Sequence, residues 1–365
     1  PTTDALIVRR VRAAGAITLG KTNTPEFGAG SNTFNAVFGP TRNGFDLTRT
    51  VGGSSGGAAC ALNCGLVPIA GGSDTGGSLR NPAAWNNVVG FRPSPGRVTD
   101  DDNSWSPLST AGPMARTVAD VALFLSTISG YHPPDPIALT DDPARFRAPL
   151  ERSMKGARVA WFTSMGGIPF EPEITRVVHA QRQAFLDLGC VVEEAEPAFD
   201  GVDEAFPILR HLSFHANYAK LARENPTMFK ETVKWEIAEA ERQRSADVGR
   251  ALTRQQRMYR EVSAFFTKYD YFVCPVTQVE PFPIETEYPM RINDVAMPTY
   301  IDWMRSCWYV TFMATPAISV PAGFSARGLP VGLQIVGRPR DDWGVLQLAH
   351  AYEQATRHGT KRPVV

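Results

Sequence analysis

The sequence has no excess of charge of either sign and no long hydrophobic run. Lys plus Arg number 37 and Asp plus Glu number 37, so no net field favours nucleic acid or an anionic membrane surface. No segment approaches the roughly 20 uninterrupted apolar residues that cross a bilayer, and residues 1–10 do not resemble a signal peptide. These absences predict a cytoplasmic protein that binds neither nucleic acid nor membrane.

Cysteine is scarce, and its number is odd. The five cysteines lie mostly among apolar or small residues, which indicates reduced, buried thiols. Cys60 and Cys64 are four positions apart, but no second pair and no nearby histidine would complete a zinc site. We therefore expect no metal site.

Strand-like and helical segments alternate along the 365-residue chain. Glycine, serine and polar motifs concentrate in residues 1–130, whereas residues 131–365 are richer in helices and C-terminal strands. This alternation predicts an α/β fold with a mainly parallel sheet covered on both faces. Strands are expected at residues 16–19, 66–70, 88–91, 159–162, 191–192, 269–275, 317–320 and 331–336, and helices at 4–14, 117–129, 174–188, roughly 203–268 and 343–355. Residues 159–192 therefore form a strand–helix–strand segment.

Residues 15–22 fit the phosphate-binding pattern G-x-x-x-x-G-K-[ST] letter for letter. A phosphate loop must follow a strand and open a helix, whereas here a helical segment precedes Gly15 and the variable positions are themselves strand-like. Pro25 follows soon after. We interpret this segment as a helix–turn–strand with a surface lysine, Lys21.

Residues 52–56 fit G-x-S-x-G, the nucleophile elbow of the α/β-hydrolases, with His350 or another histidine as the base. That elbow needs a buried strand directly before it. Residues 46–51 are too polar to be one, so we favour a different interpretation of Ser54.

Two glycine–serine strings frame that interpretation. Gly-Gly-Ser54-Ser55-Gly-Gly is followed by small residues and an apolar run, and then by Gly-Gly-Ser-Asp74-Thr-Gly-Gly-Ser78-Leu-Arg80-Asn-Pro. A flexible linker would not interrupt the strings with Val-Pro-Ile-Ala or keep this second pattern. The pair of strings is similar to the signature of the amidase signature family.

The resemblance extends over nearly the whole chain, with lead-in strings at residues 10–27 and 38–43 and C-terminal strings at 317–323 and 328–336. It implies a single α/β/α domain spanning residues 1–365 around a large mixed sheet. It also implies a serine amidohydrolase that cleaves carboxylic amides without a cofactor.

The resemblance assigns the chemical roles. Ser78 matches the nucleophile, and Ser54, after a cis peptide bond with Gly53, matches the serine that relays its proton. The glycines before Ser78 allow the backbone amides of Thr75, Gly76 and Gly77 to form an oxyanion hole. The remaining polar positions, Ser55, Asp74 and Arg80, are expected to support the nucleophile loop; a surface ion pair between the last two is the less favoured alternative.

The family's base is a lysine kept neutral by burial, in a segment resembling Gly-Val-Pro-x-x-x-Lys several dozen residues before the first serine. No such string occurs among residues 1–53. Lys21 matches a different lysine of the family pattern. We therefore expect the chain to begin after the lysine-bearing segment.

The substrate is expected to be a small aryl or alkyl amide. A glutamine amidotransferase A-type subunit is the runner-up, but Ser109 stands where that branch has a carboxylate for glutamine's ammonium. An inactive binding homologue and a homodimer also stay open. The residues expected to line the pocket are Trp85, Asn86, Trp303, Cys307 and Trp308, the aromatic ones among them being equally typical of a core.

We predict that no nucleotide binds at Lys21, because the local sequence cannot form a phosphate loop. Calorimetric titration with ATP and magnesium should show no heat of binding. Tight, magnesium-dependent binding that Lys21→Ala abolishes would contradict the prediction.

Overall fold

A sheet of eight strands forms the centre of the computed structural model, which describes residues 2–101 and 105–364. The strand order is β3-β5-β4-β11-β12-β8-β6-β7, and β1–β2 and β9–β10 form separate hairpins. In chain order the strands are β1 (Arg42–Asn43), β2 (Asp46–Thr50), β3 (Ile69–Asp74), β4 (Val89–Arg92), β5 (Thr110–Ala115), β6 (Arg158–Trp161), β7 (Val191–Glu194), β8 (Tyr271–Pro275), β9 (Arg291–Ile292), β10 (Val295–Ala296), β11 (Ala317–Phe324) and β12 (Pro330–Gly337).

The sheet is mixed, as the family resemblance implies. β6 pairs in parallel with β7 and β8, whereas the other neighbours pair antiparallel. Fewer strand pairs are therefore parallel than the sequence pattern predicted. Residues 325–329 join β11 to β12, and so short a connection forces antiparallel pairing, because parallel strands need a crossover of a dozen or more residues.

Helices cover both faces of this sheet. They are α1 (Leu6–Ala13), α2 (Gly56–Asn63), α3 (Arg80–Trp85), α4 (Val118–Ile128), α5 (Pro172–His179), α6 (Arg182–Asp187), α7 (Val202–Glu224), α8 (Glu231–Arg242), α9 (Ser245–Phe265), α10 (Arg305–Phe312) and α11 (Asp342–Thr356). None of the helices within residues 2–101 and 105–364 is long and apolar enough to cross a membrane.

Two glycines of β12 show how closely the layers approach. Gly332 and Gly337 lie on opposite faces, because side chains alternate along a strand. A Cβ atom at Gly332 would lie 2.6 Å from the Cβ atom of Ala84 in α3, and one at Gly337 would lie 2.3 Å from Cγ2 of Val345 in α11. α3 and α11 therefore pack directly on opposite faces of the sheet.

Most of the predicted elements are present. The unit β6–α5–α6–β7 is the strand–helix–strand segment, and Thr117 caps α4 by accepting a hydrogen bond from the Asp120 backbone amide at 3.1 Å. The strand predicted at residues 66–70 begins later, at Ile69, and Leu66 is exposed.

The strand predicted at residues 16–19 is wrong. These residues have no regular secondary structure, and the side chains of Ile17 and Leu19 are 87% and 75% exposed. Apolar composition predicted burial, but no neighbouring strand in the described part of the chain covers this segment.

We expect Gly90→Ala to destabilise the fold. A Cβ atom at Gly90 in β4 would lie 2.3 Å from the carbonyl oxygen of Leu79 and 2.8 Å from the Cβ atom of Ala83, so α3 would have to move off the sheet. Such overpacking costs about 1–3 kcal/mol, which chemical denaturation would measure.

The matched control is Gly249→Ala in α9, where nothing lies within 4 Å of the added atom. It should raise the free energy of unfolding by about 0.5–1 kcal/mol. Equal stabilities of the two variants would contradict the close packing of α3 against β4.

Candidate active site

Ser54 and Ser78 come together at one cavity of about 310 Å³. Ser54 lies just before α2, and the Gly53–Ser54 peptide bond is cis, as predicted. Ser78 lies in the turn between β3 and α3. The backbone amide of Ser55 donates to the carbonyl oxygen of Ser78 at 3.2 Å, so one hydrogen bond joins the two serine loops.

Close backbone packing explains the glycines of the first loop. A Cβ atom at Gly56 would lie 2.3 Å from Oγ1 of Thr33. That hydroxyl donates to the carbonyl oxygen of Gly52 at 2.7 Å, so a side chain at position 56 would break the contact that holds the loop. The glycine string is therefore a packing requirement as well as a turn signal.

Asp74 and Arg80 form a fully buried ion pair behind the nucleophile loop, which rules out a surface pair. Arg80 Nε donates to Asp74 Oδ2 at 3.0 Å and Arg80 Nη2 donates to Oδ1 at 2.9 Å. Burial by itself would raise the pKa of Asp74, but the Arg80 guanidinium, Arg92 and the Gly77 amide lower it to about 2. The carboxylate is therefore charged at neutral pH.

The Arg80 guanidinium also connects the loop to distant elements. Its Nη1 donates to the carbonyl oxygen of Cys307 at 3.0 Å and to Gln334 Oε1 at 2.9 Å, and its Nη2 donates to Thr311 Oγ1 at 2.9 Å. α10 and β12 are thereby bonded to the start of α3.

Arg92 is a third member of this cluster, which sequence reasoning missed. Its Nη1 donates to the carbonyl oxygen of Asp74 and lies 3.5 Å from Oδ1 of the same residue. Burial lowers the pKa of Arg92 to about 10, so it stays protonated at neutral pH. Two guanidinium groups against one carboxylate leave a net positive charge beneath the nucleophile loop.

One of the three predicted oxyanion donors is engaged elsewhere. The Gly77 amide donates to Asp74 Oδ1 at 2.9 Å, and Gly77 does not line the cavity. Position 77 requires glycine for two reasons. Its φ is +112°, and an added Cβ atom would lie only 2.5 Å from the Cβ atom of Cys307. Thr75 and Gly76 line the cavity beside Ser78 and remain the candidate donors.

Ser55 supports the two serine loops through contacts with β3. Its hydroxyl accepts a hydrogen bond from the Ser73 amide at 3.4 Å, and a Cβ atom at Gly72 would lie 2.3 Å from the same oxygen. The residue therefore fixes the first serine loop against β3.

The five residues expected to line the substrate pocket lie in the core instead. Trp85 stacks on Trp303 with ring centroids 5.4 Å apart, and Trp308 stacks on Phe206. Cys307 Sγ donates to Asn81 Oδ1 at 3.1 Å. All five are at most 1% exposed and none lines the cavity, Asn86 included. Aromatic spacing alone could not separate core from pocket.

Another wall of the cavity comes from α7, which carries no motif. Its contributors are Arg210, Ser213, Phe214, Asn217 and Tyr218. Ser109 also lines the cavity. No lysine and no histidine is among the described residues that line it.

The two rejected motifs lack their structural context. Residues 15–22 lie exposed and lead into no α-helix. β2 does precede the Gly52–Gly56 string, but it pairs with β1 and, through a bridge at Arg49, with Pro283, outside the central sheet, and Thr50 is its one buried residue. Neither a phosphate loop nor a nucleophile elbow is formed.

The fold and this site define an amide hydrolase. The sequence profile of the Amidase family matches residues 1–346, and the chain belongs to this family.

Relatives agree with the assignment. An acylamidase of Rhodococcus erythropolis is 36% identical, with 99% of this chain and 77% of that protein covered. The A-type subunit of the glutamyl-tRNA(Gln) amidotransferase of Moorella thermoacetica is 33% identical, with 100% and 78% covered. The crystal structure of a bacterial aryl acylamidase of the amidase signature family superposes with a TM-score of 0.90 at 28% identity, with 99% and 78% covered.

We predict that Asp74 makes the free energy of unfolding depend on pH in the acid range. Its pKa is about 2 in the folded protein and about 3.9 when unfolded. Its ion pair therefore stabilises the fold fully above about pH 4 and is lost as the pH falls through 2. Urea unfolding at several pH values would show this loss in the wild type and its absence in Asp74→Asn.

At neutral pH, Asp74→Asn should cost about 3–5 kcal/mol, because it leaves Arg80 buried without a counter-charge. The exposed Asp187→Asn is the control and should change stability by less than about 0.5 kcal/mol. Equal effects of the two substitutions would contradict the central role of the pair.

Proposed function

We propose that Ser78 attacks the carbonyl carbon of the substrate amide and forms an acyl-enzyme that water then hydrolyses. The observation that carries this proposal is the convergence of Ser54 and Ser78 on one cavity. Both serines are only slightly exposed, at 5% and 8%, so a bound amide would react away from bulk water.

Ser54 is the proton relay in this proposal. It takes the proton from Ser78 and passes it to a base, and later returns a proton to the leaving amine. Since no lysine lines the cavity within the described residues, the base that the family resemblance implies is a lysine from outside these walls. An ordinary lysine has a pKa near 10.4, so its burial is part of the mechanism.

The backbone amides of Thr75 and Gly76 stabilise the oxyanion of the tetrahedral intermediate. Losing one such donor typically costs about 10²–10³-fold in rate. The buried guanidinium groups of Arg80 and Arg92, which outnumber the Asp74 carboxylate, add a positive potential behind the loop. That potential favours negative charge on the reacting oxygen.

The substrate we propose is a small aryl or alkyl amide, which a cavity of about 310 Å³ accommodates. The similarity to an acylamidase and an aryl acylamidase supports this class. The amidotransferase alternative is less well supported, because no carboxylate among the described lining residues would hold the ammonium of glutamine. A homodimer stays compatible with the proposal.

We predict that Ser78→Ala lowers amide turnover in the native enzyme by roughly 10⁶-fold, because the proposed acyl-enzyme forms on the Ser78 hydroxyl. Release of nitroaniline from acyl nitroanilides would measure the loss, and circular dichroism would verify the fold. His350→Ala is the control and should stay within about tenfold of the wild type. If Ser78→Ala keeps its activity and replacement of a histidine abolishes it, the result would favour the α/β-hydrolase mechanism.

A further inference from the structure

Arg210 is the one charged side chain among the described residues that line the active-site cavity. It is only 4% exposed. Ser213 and Asn217, one and two helical turns further along α7, line the same cavity but are exposed. Arg210 therefore lies at the inner end of a polar wall, and the other two residues lie at its solvent side.

The guanidinium of Arg210 is held rigidly. Its Nε donates to Glu236 Oε1 at 2.7 Å, and its Nη2 donates to the hydroxyl oxygen of Tyr300 at 2.7 Å. Glu236 is also bonded by Tyr300 and, at 2.5 Å, by Nδ1 of His211. The ring of Phe214 packs 4.7 Å from the guanidinium carbon. The group is fixed before any ligand arrives.

Part of this guanidinium remains available to a ligand. Arginine has five N–H donors, and Glu236 and Tyr300 accept two of them. No acceptor for Nη1 is found in the described parts of the chain. Nη1 is not among the buried polar atoms that lack a partner, so it is accessible from the cavity and can donate to an oxygen atom of the ligand.

The charge balance around Arg210 decides which kind of ligand oxygen it binds. The carboxylate of Glu236 is fully buried and already neutralises Arg210. An additional carboxylate would bring a second negative charge to a guanidinium that Glu236 already neutralises, and would lose its hydration on entry. A neutral acceptor, such as a carbonyl or ether oxygen, gains the hydrogen bond without that cost.

We propose that Arg210 is a specificity-determining residue that binds an uncharged oxygen acceptor of the substrate, remote from the scissile amide. The proposal rests on the proposed function, since it places the acceptor in the cavity that contains Ser78. It narrows the substrate class to small amides that carry a carbonyl or ether oxygen in the acyl or the amine part.

Matched substrates test this proposal in the native enzyme. On the acyl side, levulinyl nitroanilide carries a ketone where isocaproyl nitroanilide carries a methyl branch. On the amine side, the acetamide of methoxyethylamine carries an ether oxygen where that of butylamine has a methylene. The wild type should prefer the oxygen-bearing member of at least one pair by about tenfold or more in kcat/KM, the size expected for a hydrogen bond to a charged group.

The variant combines Arg210→Met with Glu236→Gln, so that neither buried charge is left without its partner. It should reduce the preference towards unity, because the oxygen-bearing member loses more in kcat/KM than the apolar member does. The matched control combines Arg97→Met with Asp342→Asn, a buried pair with N–O contacts of 3.1 Å that does not line the cavity. The control should keep the wild-type preference.

Three results would overturn the inference. They are equal kcat/KM values within both pairs in the wild type, a preference that survives in the double variant, and an Arg210-dependent preference for succinyl nitroanilide over the levulinyl compound. The first result is measured with the wild type alone, and the third with the wild type and Arg210→Lys. The proposal can therefore be tested even if the double variant does not fold. Turnover that is insensitive to Ser78→Ala would instead contradict the proposed function.

Discussion

The buried bidentate pair between Asp74 and Arg80 is the interaction on which the site depends. Asp74 ends β3 and Arg80 begins α3, so the pair spans the turn that carries Ser78. The same guanidinium bonds to Cys307 and Thr311 of α10 and to Gln334 of β12. The position of the nucleophile is therefore set by one ion pair and by hydrogen bonds that together join four elements, and a turn rich in glycine can still be rigid.

Sequence patterns predicted the parts of the site that depend on local chain geometry. The serine strings, the cis bond before Ser54 and the support from Asp74 and Arg80 all lie within short stretches whose residue types are constrained by close packing. The Gly77 amide shows the limit of this reasoning. Glycine predicted an inward amide, but whether its partner is a substrate or the Asp74 carboxylate depends on side-chain direction, which spacing does not encode.

The features that sequence could not supply depend on contacts between distant segments. Arg210 lies in a charged helical stretch, where an arginine is ordinarily solvated, and only the packing of α7 beside the serine loops brings it into the cavity. Trp85 and Trp303 had the composition of a pocket wall, yet they stack on each other in the core. The prediction of mainly parallel strands failed for a similar reason, because pairing partners such as β4 and β11 are far apart in the chain.

The exposed segment at residues 17–22 has a consequence for handling the protein. Within the described chain these residues have neither regular secondary structure nor backbone hydrogen bonds. Proteases bind their substrates as extended strands, so a stretch of this kind fits their clefts without prior unfolding. Lys21 lies exposed in this segment, and the bond between Lys21 and Thr22 is therefore a cleavage site for trypsin-like enzymes.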